Sequence, residues 1–364
     1  MLTEKIARQI SLFSAANEVA RSASEPNIVS LFSGAGGLDL GFEQAGFEVV
    51  SAVDMWKDAI VTYNHNRKNK IAKVETVEVF NDKELPELIK SKHIMGIIGG
   101  PPCQGFSTVG RREVDDPRNR MYLEFYKAVK LASPDFFVIE NVKGMLTLNK
   151  GAFVKDLIER FGPNGLGYNI TYQLLNAADY GIPQNRYRVF YVGIKNKTFE
   201  FPKPINTMLT AKDGISDLEG SDNSHYGSTP QNDFQRIMRG KCKHPINQDY
   251  TSHTQQTIDI ISQVPDGGNI RDLPREVWEV RKYNKAFERM GTFKPSNTID
   301  TGHRNYFHYS EPRIPTVRES ARIQSFPDDF EIVGTRGSKY KQVGNAVPPL
   351  LAKIIAEKIK ETIL

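Results

Sequence analysis

Only two cysteines, Cys103 and Cys242, occur in 364 residues. That is too few for a disulfide framework or a cysteine-rich zinc cluster, and it suits a reducing cytoplasm. No apolar run approaches the length that crosses a bilayer. The N-terminus lacks the apolar core and small-residue cleavage site of a signal peptide, so neither a membrane span nor secretion is expected. Strong charge of one sign is absent as well. The formal net charge is +5 and the pI about 8.9, a mild tilt toward a polyanionic partner that many metabolic enzymes share. What remains is an ordinary globular composition, 39% hydrophobic and 25% charged, in a chain long for one domain and comfortable for two.

Strand and helix patterns alternate along the first half. Ile6, Ile10, Phe13 and Ala20 share one helical face, which predicts an amphipathic helix over residues 3–23, ended near Pro26. Asn27 to Phe32 reads as a buried strand running into Ser33-Gly34-Ala35-Gly36-Gly37. A glycine-rich turn between strand and helix lets backbone approach a ligand and aims helix-start amides at it, but similar turns serve many purposes. Phe47 to Val53 reads as a second strand with Asp54 at its end, where a carboxylate meets the ribose hydroxyls of a nucleoside. The competing role for Asp54 is a helix N-cap ahead of residues 56–64. A third strand is predicted within Val74–Phe80, a short helix over Lys83–Lys90, and another strand over His93–Ile98.

That last strand meets Gly99-Gly100-Pro101-Pro102-Cys103-Gln104-Gly105-Phe106-Ser107. Two glycines and two prolines should end it abruptly and make the approach to Cys103 stiff. Taken alone, the stretch suits a nucleophile at a strand end and a buried, inert thiol equally well. Residues 110–120 are polar, charged and without apolar periodicity, and so read as a long exposed loop whose arginines meet phosphates or only solvent. Tyr122–Leu131 has helical spacing, and Pro134–Ile139 reads as a buried strand that delivers Glu140-Asn141-Val142 at its end. A carboxyl left there tends toward the protonated form that a proton donor needs. A helix is predicted around Phe153–Phe161 and strands over Tyr168–Leu175 and Tyr187–Ile194, with Gln184, Arg186 and Arg188 alternating onto one face of the latter.

Seven ordered blocks carry a resemblance. They are Leu31 to Gly37, Asp54-Met55, Gly99 to Ser107, Glu140-Asn141-Val142, Gln184 to Arg188, Arg318 to Pro327, and Gly344-Asn345-Ala346-Val347-Pro348-Pro349. Together they resemble the cytosine-5 DNA methyltransferases, which use S-adenosylmethionine and cover their substrate with a separate recognition domain. The resemblance implies an α/β fold: a Rossmann-like methyltransferase domain with a mixed, mostly parallel sheet and helices on both faces, plus a small irregular target-recognition domain. Residues 1–197, completed by 325–364, would form the catalytic and cofactor-binding domain, and 198–324 the recognition domain and hinge. Proline and polar residues crowd that second segment and long apolar runs are few, which is consistent with an irregular fold.

The resemblance also implies roles. Cys103 would add to carbon 6 of cytosine, Glu140 would relieve the charge at nitrogen 3, and Arg188, with Arg186 beside it, would hold Glu140 and approach the ring oxygen. S-adenosylmethionine, leaving as S-adenosylhomocysteine, would be held by Phe32, Gly34, Gly37, Leu38, Asp54, Met55, Glu78, Gly100, Pro102, Asn345 and Val347. Glu78 stands in for the family's acidic residue on the third strand. Gln104, Ser107, Arg111, Arg112, Arg118, Arg236, Arg239, Lys241 and Lys243 would contact double-stranded DNA, from which the target base must be flipped. No metal is implied. The expected setting is a cytoplasmic monomer of a bacterial or phage modification system, with a restriction endonuclease acting on the same site without direct contact. The competing readings are a tRNA methyltransferase of the same fold, whose Cys-Phe-Thr signature is missing here, and a non-catalytic DNA-binding paralogue, against which Cys103, Glu140 and Arg188 argue.

Overall fold

The computed structural model describes residues 26–102, 120–205, 207–220, 225–279, 287–301 and 306–364. The helix expected over residues 3–23 and the loop from Cys103 to Asn119 lie outside the described residues. The chain clusters into two compact units. One, the sheet unit, holds the described residues up to Asn176 together with Tyr187–Lys203 and Leu351–Leu364; the other, the helical unit, holds Ala177–Arg186 and Pro204–Leu350.

Seven strands build the sheet unit: β1 (Asn27–Leu31), β2 (Glu48–Asp54), β3 (Ala72–Val74), β4 (Gly96–Gly99), β5 (Phe136–Val142), β6 (Tyr168–Asn176) and β7 (Tyr187–Lys195). Their order is β3-β2-β1-β4-β5-β7-β6. β1 to β5 pair in parallel, and β7 runs antiparallel between β5 and β6. Helices α1 (Gly37–Gln44), α2 (Lys57–His65), α3 (Val77–Lys83), α4 (Leu85–Ser91), α5 (Arg120–Ala132) and α6 (Ala152–Phe161) link the strands. Apolar runs without alternation, such as Phe136 to Ile139, suit strands covered on both faces.

β5 shows how those faces are filled. Phe136 meets Phe42 and Phe47 at ring-centroid distances of 6.2 and 5.6 Å, while its neighbour Phe137 meets Phe161 at 4.7 Å and Tyr168 at 5.1 Å. The two-residue strand period sends the pair to opposite sides. Strand glycines make the room: a Cβ on Gly96 would stand 2.2 Å from the Phe136 ring, and one on Gly193 2.1 Å from that of Phe137.

The third strand differs from expectation. β3 stops at Val74, and Thr76 caps α3, its hydroxyl accepting the Val79 amide at 3.4 Å. Val77, Phe80 and Asn81 are buried, a stripe at helical spacing that overrides the strand preference of the two valines. Glu78 therefore sits in the first turn of a helix.

The helical unit is built from short pieces: α7 (Ala211–Ile215), α8 (Asp233–Arg239), α9 (Gln255–Gln263), α10 (Arg275–Glu279), α11 (Val317–Ile323), α12 (Arg336–Asn345), and the paired two-residue strands β8 (Glu288–Arg289) and β9 (Tyr306–Phe307). Every residue of α11 is buried, including Arg318, Glu319 and Arg322. A capping box opens it: the Thr316 hydroxyl accepts the Glu319 amide at 3.0 Å, and the Glu319 carboxylate accepts the Thr316 amide at 2.7 Å. Helix α13 (Pro349–Ile363) returns the chain to the sheet unit. It buries Leu351, Ile355 and Ile359, and its Lys360 ammonium donates to the Ala45 carbonyl at 3.0 Å.

Candidate active site

The turn after β1 has three left-handed residues in five: Phe32 (φ 56°), Gly34 (φ 54°) and Gly36 (φ 85°). Glycine adopts this conformation without cost, whereas Phe32 does so only because its surroundings fix it. The Ser33 amide donates to Val53 O at 3.2 Å and the Gly36 amide to Ser33 O at 2.9 Å. Gly34 donates its amide to Asp54 Oδ2 at 2.9 Å, and Trp56 donates to Oδ1 at 2.8 Å. Asp54 thus ties the turn to the end of β2. The N-cap of α2 is Trp56, with no side-chain cap bond, so Asp54 is not a helix cap. Burial pushes the Asp54 carboxyl up from its ordinary range while both amides pull it back.

Five of the expected cofactor residues gather around this turn and strand end: Phe32, Gly34, Gly37, Leu38 and Asp54. Met55, the sixth, follows Asp54 with 73% of its surface exposed. Glu78 does not share their setting. Glu75 is the acidic residue that follows β3, and its amide donates to the Asp54 carbonyl at 3.1 Å. With β3 ending at Val74 and not reaching Glu78, Glu75 is the acidic residue beside the third strand.

The ends of β4 and β5 carry the second group. Glu140 lies in β5 and Arg188 in the adjacent antiparallel β7, where Val142 pairs with Arg188 in register. Their side chains meet at 2.9 Å, Arg188 Nε to Glu140 Oε1, and both are largely buried. Gly100 leaves space for this carboxylate, since a Cβ there would come within 3.0 Å of Glu140 Oε2. Asn141 Nδ2 donates to the Pro101 carbonyl at 2.9 Å, fixing backbone two residues before Cys103. Pro101 is buried and Pro102 exposed. Cys103, Gln104, Ser107, Arg111, Arg112 and Arg118 lie outside the described residues.

Other expected site residues are placed differently. Arg186 belongs to the helical unit, fully buried, with its guanidinium donating to the carbonyls of Gly344 and Ala346 at 2.8 and 2.9 Å. It is not on a shared strand face with Arg188, because β7 begins at Tyr187 and Gln184 bridges to Ser296 instead. Asn345 ends α12 and Val347 follows it, in the same unit as Arg186. Arg239 is buried against Asp217, Nε to Oδ2 2.6 Å, and also donates to the carbonyls of Tyr226 and Ser228; its charge is spent internally. Arg236 is exposed and paired with Asp233 at 2.8 Å, while Lys241 and Lys243 are exposed. Cys242 places its thiol 3.0 Å from the His244 carbonyl.

The turn suits the cofactor that the resemblance implies. A Cβ on Gly34 would meet nothing within 4 Å, so space lies open over that residue. Each Asp54 oxygen keeps a lone pair beyond its amide contact for a ribose hydroxyl. The start of α1 offers amide donors, and Met55 offers an exposed apolar side chain. Among the described residues no group of His, Cys, Asp and Glu is arranged to hold a metal ion, and no helix is long and apolar enough to cross a membrane.

Comparison with known proteins gives concordant findings. A family model described as C-5 cytosine-specific DNA methylase matches residues 26–361. The chain is 36% identical to the Type II methyltransferase M1.HphI of Haemophilus parahaemolyticus, covering 91% of this chain and 86% of that one. It is 39% identical to M.FnuDI of Fusobacterium nucleatum, covering 92% and 94%. A solved structure described as a DNA modification methyltransferase encoded within an Escherichia coli prophage superposes with a TM-score of 0.73 at 28% identity, covering 93% and 99%. The Dnmt2 methyltransferase of Schizosaccharomyces pombe shares the fold at 17% identity, with a TM-score of 0.58 and coverage of 92% and 98%.

Proposed function

The chain belongs to the C-5 cytosine-specific DNA methylase family, and from that premise we propose how its own residues divide the work of methylating cytosine in DNA. The observation that carries the reading is the Glu140–Arg188 pair at the end of two adjacent strands, beside the stiff Pro101-Pro102 approach to Cys103.

S-adenosylmethionine, when bound, supplies a methyl group activated by its sulfonium. The Ser33–Gly37 turn would hold it, with Asp54 toward the ribose hydroxyls, Met55 toward the adenine and Glu75, which follows β3, in the third-strand acidic role instead of Glu78. Carbon 5 of cytosine is a poor nucleophile, so the Cys103 thiolate adds to carbon 6 and turns the ring into an enamine. Glu140 holds a proton at nitrogen 3 as electron density arrives there. Arg188 fixes Glu140 and supplies positive charge toward the ring oxygen, with no reorganisation at the moment of reaction. After methylation a base removes the carbon 5 proton and Cys103 leaves. The target base is flipped, since carbon 6 is unreachable within the stack.

Residues 198–324 read the DNA sequence in this proposal, with Arg236, Lys241 and Lys243 available to phosphate. The likeness to named Type II methyltransferases supports a modification enzyme of a bacterial or phage restriction-modification system; in this proposal it acts as a monomer, without contact to its endonuclease. Cys103→Ser tests the mechanism: methyl transfer in a radiolabel assay should vanish while binding to duplex DNA persists. DNA carrying 5-fluorocytosine at the target should trap an adduct that maps to Cys103. Turnover by the variant, or an adduct elsewhere, defeats the proposal.

A further inference from the structure

Behind the glycine turn stands a cluster that neither the seven blocks nor the reaction uses. Arg67, two residues past the end of α2, has a largely buried side chain and bonds Glu43 with both arms, Nε to Oε1 at 2.7 Å and Nη2 to Oε2 at 2.8 Å. The same Nη2 donates to the Gly36 carbonyl at 3.3 Å, and Nη1 donates to the Tyr63 carbonyl at 3.2 Å. Its guanidinium lies 3.7 Å over the Tyr63 ring. Tyr63 is itself pinned, donating its hydroxyl to the buried Asp39 at 3.0 Å. A Cβ on Gly36 would collide with this wall, 2.6 Å from the Tyr63 ring and 2.9 Å from Arg67 Nη1.

The wall touches the turn at Gly36, the left-handed residue that both closes the turn onto Ser33 and opens α1. A planar fork suits this task. It satisfies a carboxylate bidentately, stacks on an aromatic ring and still has a donor to spare for a backbone carbonyl, which a lysine ammonium cannot do at once. We propose that Arg67 is a positioning residue for the cofactor: acting through the Gly36 carbonyl, with Glu43 and Tyr63 as its supports, it holds the Ser33–Gly37 turn in the shape that receives S-adenosylmethionine. Arg67 touches neither cofactor nor DNA in this account. The inference rests on the reading of that turn as the cofactor turn.

The test separates the two. In Arg67→Lys the charge toward Glu43 survives, but the second arm and the planar stack are lost. The dissociation constant for S-adenosylhomocysteine, measured by calorimetry, and the KM for S-adenosylmethionine should both rise by about tenfold, while kcat at saturating cofactor and the KM for DNA stay within about twofold. A merely structural role would lower kcat and both affinities together, and that outcome overturns the proposal, as does unchanged cofactor affinity. If Arg67→Lys does not fold, Glu43→Gln decides: it should move cofactor affinity in the same direction by about threefold with kcat kept, and an unmoved affinity overturns the proposal. Asp54→Ala checks the underlying reading. Should it leave S-adenosylhomocysteine binding intact, the turn is not the cofactor turn and the inference falls with it. Should it abolish binding while Arg67→Lys does not weaken it, only the role of Arg67 is wrong.

Discussion

The two units of this protein are held together by different forces. In the sheet unit the buried groups are mainly aromatic and aliphatic, with Phe125, Phe137, Phe161 and Tyr168 packed on one face of the sheet and Phe42, Phe47 and Phe136 on the other. The helical unit also buries apolar side chains, among them Ile215, Met238, Ile323, Phe326 and Val343 and a cluster of Ile261, Val264, Phe307 and Ile314, but it adds a dense ionic interior. Arg322 lies between Asp217 and Asp328, Asp217 also takes Arg239, and Arg313 forks onto Glu319. Burying apolar surface stabilises without regard to direction, so a sheet tolerates volume-conserving change. A buried ion pair stabilises little in net terms, but it demands one geometry and punishes the loss of a partner. A unit of short, irregular pieces gains definition from such pairs in addition to its apolar packing.

The largest effect that can break this comparison is at Arg322. Arg322→Met keeps volume and removes the cation from between two fully buried carboxylates. The helical unit should lose about 3 kcal/mol, because two buried carboxylates lose the cation they share, Arg239 still facing Asp217. Hydrogen exchange should show the loss in α7, α8 and α11, with the amides of β1, β4 and β5 still protected. A loss below about 1 kcal/mol would place Arg322 among ordinary surface pairs.

The comparison sharpens with pH, where the units should respond with opposite signs. In the sheet unit, burial pushes the Asp39 carboxyl up to about 6, with Arg67 drawing it back. The folded state then holds a proton that the unfolded chain releases near its ordinary value of about 4. This contribution is complete below about pH 4 and is lost as pH rises through 6. In the helical unit, burial pushes His308 down to about 4 against the opposing pull of Glu319, with Arg313, Glu311 and Arg289 also facing it. Its Nδ1 accepts the amides of Ser310 and Glu311 at 3.2 Å, which a proton there would break. The unfolded histidine takes a proton near 6.5, so this contribution is complete above that pH and is lost as pH falls toward 4. Each effect is on the order of 2–3 kcal/mol. Between pH 4 and 6.5, exchange protection should fall with rising pH in α1 and α2 and rise in α11. Asp39→Asn should flatten the first slope and stabilise the protein at pH 7.5; slopes of equal sign would remove the contrast.

The same difference governs what could be read from the sequence. β1, β2, β5, β6 and β7 are visible as apolar runs, and the structure moves their ends by one to three residues. β3 and α3 were misread because Val77, Val79 and Phe80 carry strand preference in a segment whose burial follows a helical stripe. The meeting of Glu140 with Arg188 needs the register of β5 on β7, which no local pattern encodes; their roles came from the resemblance. Arg67 was invisible because Gly36 lies 31 positions away and Glu43 24. Arg239 escaped for a simpler reason. Arginine in a polar, basic segment reads as surface, and only tertiary structure reveals that Arg239, like Arg186, Arg318 and Arg322, is buried.

The smallest predicted effect isolates that lesson within one helix. Arg236 and Arg239 stand one turn apart in α8, identical in type and both basic in sequence. Arg236 keeps half its side chain exposed and pairs with Asp233 three residues earlier, whereas Arg239 is 8% exposed and joins the Asp217 cluster. An exposed pair at this spacing contributes under about 0.5 kcal/mol, since screening and side-chain entropy consume the Coulomb gain. Arg236→Ala should therefore leave the urea midpoint of the helical unit almost unmoved and weaken DNA binding only through the salt-dependent part, lowering the slope of log K against log salt by about 1. Arg239→Ala, in the same assay, should shift the midpoint clearly and leave the salt slope unchanged in the fraction that stays folded. If the two substitutions exchange these signatures, burial does not separate structural from DNA-facing arginines in α8, and the basic patch must be redrawn around Arg239.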